Sequence, residues 1–465
     1  MGYLIDILAF IFILGAAVVL HEFGHFIVAK LFKIRVETFS VGFGPRIFGR
    51  RWGQTDYRVS AIPLGGYVKL GGDESNAPLE GAGATDIPPE EQFNLRPRWQ
   101  RILVAVAGPV MNILTALAIP FVGALMLGVP ATPSPVVSSV SEGDAAQVAG
   151  LKPGDRIVSF NGAENPTWRR ITGDAALSPE HPLPLVVERN GERIPLTITP
   201  TKRKEGSESI GDLDFQPDFG NLPVIVFGVE PGSPAEAAGL QKGDRVLMVG
   251  DEPVRNSDHV REYIRGHKTE PIRLTVERNG ERKEITARVG KLSDGNEGLG
   301  FRPGEDVPRE RAGVLAAASY AVDTNLDILR LTGKALGQLF TGQRSARDTI
   351  SGPIGIARAS STAVREGGLG GVFIMLSFLS LSLGVFNLLP IPVLDGGAIF
   401  LLLLEGALGW VGVTLSMSVR ERIQQIGFVM VLLLMVLVIT NDLMKEASIW
   451  RGSNDNKPAA TAPQK

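Results

Sequence analysis

Two histidines four residues apart, in His21-Glu22-Phe23-Gly24-His25, stand within an apolar run that opens at Leu8. On an α-helix, positions i and i+4 share a face, so both imidazoles can grip one ion. Glu22 falls beside them, where its carboxylate can take a proton from water. The chemistry that suits this spacing is zinc-assisted hydrolysis: zinc brings the pKa of a bound water to about 7 and polarises a carbonyl as a Lewis acid. The chain has five histidines (His21, His25, His181, His259 and His267) and no cysteine. Without cysteine there are no disulfides, no thiol nucleophile, no thiolate-held cluster and no Cys-type zinc finger. A transition metal would have to be held by imidazole and carboxylate.

A catalytic zinc needs a third protein ligand and an open position. His181, His259 and His267 lie in a polar insert and read as surface residues. The best candidate is Asp395, in Asn387-Leu-Leu-Pro-Ile-Pro-Val-Leu-Asp-Gly-Gly397, directly after a long uncharged run. Its two prolines and Gly-Gly break a helix, and irregular backbone at membrane depth is tolerated where it lines a cavity or packs in protein. Alone, Asp395 reads as a helix-end cap at the membrane interface; beside His21 and His25 it reads as a ligand. Ionisable residues inside a span are costly and mark function.

The elements that must position these groups follow from hydropathy. The 465 residues are 44% hydrophobic and 21% charged, with a net charge of −2, an average that gives no reason to expect nucleic acid as a partner. The average conceals four nearly uncharged stretches: Leu8–Phe32 (interrupted by His, Glu and Lys), Ile102–Val129, Gly367–Leu394 and Ile423–Asn441. Each approaches the roughly 20 residues that a bilayer-spanning helix needs. The first begins on an acidic, not basic, segment and lacks a small-residue cleavage site, so it reads as an uncleaved span. The expected architecture is a polytopic α-helical membrane protein of four spans, at 1–33, 99–130, 367–405 (carrying Asp395) and 423–444. Lys and Arg crowd the segment Lys30–Arg101 and recur at Arg420 and Arg422, while residues 1–20 have none. The positive-inside rule puts those two links in the cytoplasm and the N-terminus, the large insert and the C-terminus outside.

Residues 34–98 form the first loop, where Val36–Gly44 and Tyr57–Leu70 are rich in β-branched residues, aromatics and glycine. They predict a membrane-associated β-hairpin on the cytoplasmic side. The insert contains a duplication. Gly150-Leu-Lys-Pro-Gly-Asp-Arg156 recurs as Gly239-Leu-Gln-Lys-Gly-Asp-Arg245, and Glu188-Arg-Asn-Gly-Glu-Arg193 recurs unchanged at Glu277–Arg282, both at an offset of 89 residues. The Asn-Gly pairs between β-rich runs are hairpin signals, and a helix is expected near Ser257–Gly266. The runs Ala145–Ile157 and Ala235–Val246 resemble those of PDZ domains, which implies two extracytoplasmic α+β domains at about 134–202 and 222–291. Such domains take peptide termini by adding a strand to a sheet edge; spacers or filters without a peptide are the alternative. Residues 312–345 have helical spacing and suit an amphipathic segment, and 452–465 read as a disordered tail.

H-E-x-x-H in the first span, N-x-x-P-x-P-x-L-D-G-G in the third and PDZ-like repeats between the second and third resemble the site-2 protease family of intramembrane zinc metalloproteases, most of all its bacterial members with tandem PDZ domains. Gly108-Pro-Val-Met-Asn112, Pro63-Leu-Gly-Gly-Tyr67 and Ser351-Gly-Pro-Ile-Gly355 fit the same family. The resemblance implies one zinc per chain on His21, His25 and Asp395, with Glu22 as general base and later proton donor. It places Asn387 near the scissile peptide, able to hydrogen-bond its carbonyl or the oxyanion. The loop carrying Gly65 and Gly66 could pair with an unwound substrate strand. The implied setting is the bacterial inner membrane. The implied partners are the bilayer and single-span membrane proteins such as a pre-trimmed anti-sigma factor, with the PDZ-like units excluding untrimmed substrates. Two other readings stand beside this one: a scaffold with a relic metal motif, and a transporter, since broken spans with an intramembrane carboxylate also suit ion sites.

Overall fold

The apolar run that carries the two histidines folds as one helix, α1 (Gly2–Leu31), with Lys30 in its last turn, where a cation opposes the partial negative charge of the helix end. The computed structural model describes residues 2–73, 86–140, 143–205, 208–218, 222–292, 297–345, 350–410, 412 and 417–455. The chain divides into two units. One gathers Met1–Leu127, Ala312–Ile328 and Ile350–Leu443; the other gathers Gly128–Arg311, Leu329–Thr349 and Met444–Lys465.

In the first unit, α1 is followed by an antiparallel hairpin, β1 (Val36–Trp52) and β2 (Thr55–Leu70), joined at Gly53-Gln54, where Gly53 takes a φ of 61°. Both strands run longer than the two β-rich stretches predict. Repeated register shifts bend the ribbon, while Phe39↔Val68 and Val41↔Gly66 remain paired. Helix α2 (Arg98–Leu127) contains Pro109 and Pro120, tolerated in a membrane helix because neighbours re-satisfy the freed carbonyls. Helix α3 (Val314–Phe340) occupies the expected amphipathic segment, and its buried Asn325 donates to the Ala116 carbonyl of α2 at 3.0 Å. Helix α4 (Pro353–Asn387) bends at Gly368, whose φ is 55°. It ends at Asn387, and a short non-helical link leads to α5 (Asp395–Trp410) and then to α6 (Met417–Asp455). Residues Gly452–Asp455, expected in the tail, thus continue the last helix, and 456–465 lie outside the described residues.

Among the described residues, four helical stretches are long and apolar enough to cross a membrane: Ile7–Leu31, Arg98–Leu127, Gly367–Asn387 and Arg422–Lys445. They coincide with the four uncharged runs. On α6, Ile426, Leu433 and Val436 are all more than 60% exposed, the reverse of a soluble fold and what a lipid-facing helix requires.

Among the described residues, the second unit contains two six-stranded antiparallel sheets of the same order, each a five-strand path plus a two-residue strand off it (Ala163–Glu164 and Glu252–Pro253). In one the path is Phe215–Asp218, Ser134–Val140, Arg156–Phe160, Leu183–Arg189, Glu192–Ile198. In the other it is Phe301–Glu305, Val224–Val229, Arg245–Val249, Pro271–Arg278, Glu281–Arg288. The cores repeat at the sequence offset. Leu151, Ile157, Phe160, Ile171, Leu185 and Val187 of one are matched by Leu240, Val246, Val249, Val260, Leu274 and Val276 of the other. Each such side chain contributes about 1.5–3 kcal/mol on burial. Both Asn-Gly turns have positive φ at each central residue (Asn190 53° and Gly191 82°; Asn279 54° and Gly280 82°), as a two-residue I′ hairpin demands.

The two repeated motifs also explain each other. Asp155 is gripped by Arg189 through two hydrogen bonds of 2.7 Å, and Asp244 by Arg278 through two of 2.6 Å; both carboxylates are 1% exposed. The Gly-Asp-Arg and Glu-Arg-Asn-Gly runs are the two halves of one buried ion pair, made twice. The edge strands Phe215–Asp218 and Phe301–Glu305 lie beyond the ranges 134–202 and 222–291. They are too short, and too rich in proline and glycine, to show alternation in sequence. His181 and His267 are exposed as expected, but His259 is not a surface residue: its side chain is buried on the inner face of the helix Ser257–Gly266, 2.9 Å from Glu252.

Candidate active site

The close crossing of α1 and α2 is made by missing side chains. A Cβ on Gly24 would strike the Ala107 carbonyl, and one on Gly108 would strike the rings of His25 and His21. Small residues at a membrane helix crossing let the backbones approach, and here they also open room for two imidazoles. His21 is 5% exposed, and the rings stand edge to face with centroids 4.9 Å apart.

The third group comes from the break after α4. Leu388–Leu394 folds back over the first turn of α5. A Cβ on Gly396 would strike the Leu388 and Leu389 carbonyls, and one on Gly397 the Ile391 carbonyl. Asp395 therefore needs the two glycines behind it. Two residues ahead, Val393 holds a φ of 86°, a conformation costly for a β-branched residue and one that tends to persist at functional sites. This turn aims the Asp395 carboxylate at the histidines: Oδ2 lies 2.9 Å from His21 Nε2 and Oδ1 lies 3.5 Å from His25 Nε2. The two Nε2 atoms are 3.2 Å apart, and the three donor atoms all fall within 4.8 Å of one another.

These separations fit a small tetrahedral ion, whose donor atoms stand roughly 3.3 Å apart when its bonds are 2.0–2.1 Å. The surroundings of His25 agree. Its Nδ1–H donates to the Val104 carbonyl at 2.7 Å, which leaves Nε2 bare on the neutral ring. Asn387, last residue of α4, brings its amide 3.3 Å from His21 Nε2. Glu22 accepts from the Val68 N–H of β2 at 3.1 Å, so the hairpin reaches the same cluster. Gly65 and Gly66 are buried on β2, where a Cβ would meet Val18 and Val19 of α1 within 3.5 Å. The fold thus brings together His21, His25, Asp395 and Asn387, sets Glu22 against β2, and packs Gly65 and Gly66 one turn of α1 away.

Sequence reasoning missed Val104 and Val68, which act through backbone atoms and carry no side-chain signal. Asn112 stands within the Gly108–Asn112 motif, but nothing in the sequence gives it a role. In the structure the Asn112 amide lies 3.2 Å from His21 Nδ1.

Comparison with known proteins covers the same ground. The model of peptidase family M50 matches residues 9–434. The regulator of sigma-E protease RseP of Escherichia coli (strain K12) is 30% identical over 96% of this chain and 100% of its own. A putative zinc metalloprotease of Vibrio cholerae is 31% identical over 95% of this chain and 98% of its own. One from Xylella fastidiosa (strain Temecula1) is 34% identical over 92% and 96%.

Proposed function

The chain belongs to peptidase family M50 and is a zinc metalloprotease of the site-2 type, and from that premise we propose that it cleaves a peptide bond inside the transmembrane segment of membrane-protein substrates, with His21, His25 and Asp395 as the zinc ligands. The observation that carries this reading is the convergence of three donor atoms within 4.8 Å from two separate helices.

Zinc bound there supplies Lewis acidity, polarising the carbonyl and making water a nucleophile near neutral pH. Glu22 takes one proton from the attacking water and later delivers it to the leaving nitrogen as the C–N bond breaks. The Val68 N–H holds Glu22 in place before reaction. Asn387 donates its amide N–H to the oxygen that gains charge, a contact that tightens in the transition state. The substrate helix must unwind first, because its peptide groups are hydrogen-bonded internally, and the edge of β2 near Gly65 and Gly66 offers it backbone partners.

In this reading the site opens towards the cytoplasm, and the loop 34–98 and the link with Arg420 and Arg422 are cytoplasmic. The N-terminus, the C-terminus and the duplicated units, taken as PDZ-like domains, lie outside the inner membrane. The substrate is a single-span protein already trimmed on its outer side, an anti-sigma factor by analogy with the relatives named regulators of sigma-E protease. The duplicated units exclude untrimmed substrates. The test is cleavage of a membrane-embedded substrate by Glu22→Gln, expected to be lost with zinc retained, alongside Asp395→Ala, expected to lose zinc. A Glu22→Gln protein that cleaves at the wild-type rate, or an Asp395→Ala protein with full zinc, refutes the assignment.

A further inference from the structure

Between Ile102 and Leu127, the only side chains of α2 that carry an N–H or O–H group are Asn112 and Thr115. Thr115 satisfies itself on the Met111 carbonyl of its own helix. Asn112 does not. It is 0% exposed, its amide nitrogen is placed 3.2 Å from His21 Nδ1, and its amide oxygen is buried without a partner. A half-satisfied amide in a span is unfavourable, so what it does for His21 has to account for its presence. Its position is held from the other side too. The missing side chain of Gly384 on α4 is what makes room, since a Cβ there would lie 3.3 Å from the Asn112 Cβ and 2.9 Å from the Pro109 carbonyl.

The two ends of an asparagine amide are distinguished by their partners. His25 has its proton at Nδ1, on the Val104 carbonyl, and presents a bare Nε2. His21 faces the same cluster through Nε2, with Asp395 at 2.9 Å and His25 at 3.2 Å. For that nitrogen to be bare on a neutral ring, the proton must sit on Nδ1, facing Asn112, and the amide must be turned end for end so that its oxygen replaces its nitrogen there. Only the amide oxygen can accept it.

We infer that Asn112 is a positioning residue whose amide oxygen accepts the His21 Nδ1–H, fixing the tautomer and ring plane that present Nε2 to the metal. The inference rests on the reading of His21 as a zinc ligand. Thus α2 orients both histidines, one through the Val104 carbonyl and one through Asn112 two turns further along.

The experiment uses the intact protein in detergent, stripped of metal and titrated with zinc against a chromogenic chelator. Asn112→Leu keeps the volume and removes the acceptor; Asn112→Asp keeps an acceptor and removes the donor. Zinc affinity is expected to fall about 10–100-fold in Asn112→Leu, as for loss of an outer-shell partner, with the metal-free melting temperature unchanged, and to stay near wild type in Asn112→Asp. Wild-type affinity in Asn112→Leu overturns the inference. So does an Asn112→Asp protein that binds zinc as weakly as Asn112→Leu, or one that loses zinc when Asn112→Leu cannot be folded. His21→Ala separates the two levels: if it binds zinc as tightly as wild type, the ligand reading has failed, whereas loss of zinc there with wild-type binding in Asn112→Leu rejects only the role of Asn112.

Discussion

Replacing Gly108 by alanine removes no ligand, yet it should disable the site. The added Cβ would stand 2.8 Å from His21 Cε1 and closer still to His25 Nε2, where carbon contacts normally settle at about 3.5–4.0 Å. The rings must therefore retreat by roughly 1 Å, several times the ±0.2 Å within which metal–ligand distances hold. His25 cannot easily turn aside, because its Nδ1–H is tied to the Val104 carbonyl at 2.7 Å. Overpacking of this kind costs about 1–3 kcal/mol, which converts to a roughly 5- to 150-fold loss of zinc affinity. The assay is zinc competition on the purified protein, with cleavage of a membrane-embedded substrate measured in parallel. Gly123→Ala is the control, since a Cβ there meets nothing within 4 Å. It should leave zinc and cleavage unchanged and leave or raise the melting temperature, because alanine is favoured over glycine in a helix by up to about 1 kcal/mol. A Gly108→Ala protein that binds zinc and cleaves like wild type would refute the crossing geometry on which the site is built.

Asp244→Asn should destabilise its sheet by roughly 3 kcal/mol, the lower end for breaking a buried pair because Arg278 still reaches solvent; urea unfolding of the intact chain, followed by hydrogen exchange in that sheet, reads this. Burial alone would raise the carboxyls of Asp155 and Asp244, but Arg189 and Arg278 outweigh it and hold both below the usual range. Their contribution is therefore complete above the unfolded carboxyl value of about 3.9 and is lost as pH falls through the lower folded values, so exchange protection in both sheets should hold at pH 5 and decline only below about pH 4. Asp442 accepts from the N–H groups of Gly352, Ile354 and Gly355 at 2.9, 2.9 and 3.2 Å, capping α4 from a neighbouring helix; Asp442→Ala should lower the melting temperature and the cleavage rate together, and unchanged cleavage would show that α4 holds Asn387 in place without it. In the sheet edged by Phe301–Glu305, Pro303 has no N–H and its carbonyl is taken by Arg261 at 3.0 Å, so the middle of that edge has no backbone group free to pair with an added strand; fluorescent peptides ending in a free carboxylate should show no saturable binding that disappears with Phe301→Asp.

Much of this was legible in the chain. H-E-x-x-H has a helical spacing, and Asp395 follows an uncharged run, so the three groups stand out by type and by the cost of placing them in a bilayer. The spans, the hairpin and the duplication are equally local: each is a periodicity, a composition or a repeat. The short edge strands and the buried side chain of His259 were not legible, because both depend on what packs against them.

What the sequence determined by itself is the inventory: four apolar helices, two copies of one β-rich unit, and histidine and carboxylate as the only available metal donors in a chain without cysteine. What tertiary structure alone decided is which atoms meet. The bareness of Nε2 on His25 depends on the Val104 carbonyl at the opposite nitrogen, and the inferred bareness on His21 depends on the Asn112 amide beside its Nδ1, both from a helix about 80 to 90 residues away. The room for the rings depends on an absent Cβ at Gly108, and the aim of Asp395 on a backbone turn at Val393 that its residue type disfavours. Residue types and spacings propose the donors, but tautomer, clearance and aim arise from long-range packing, which no local pattern in the chain encodes.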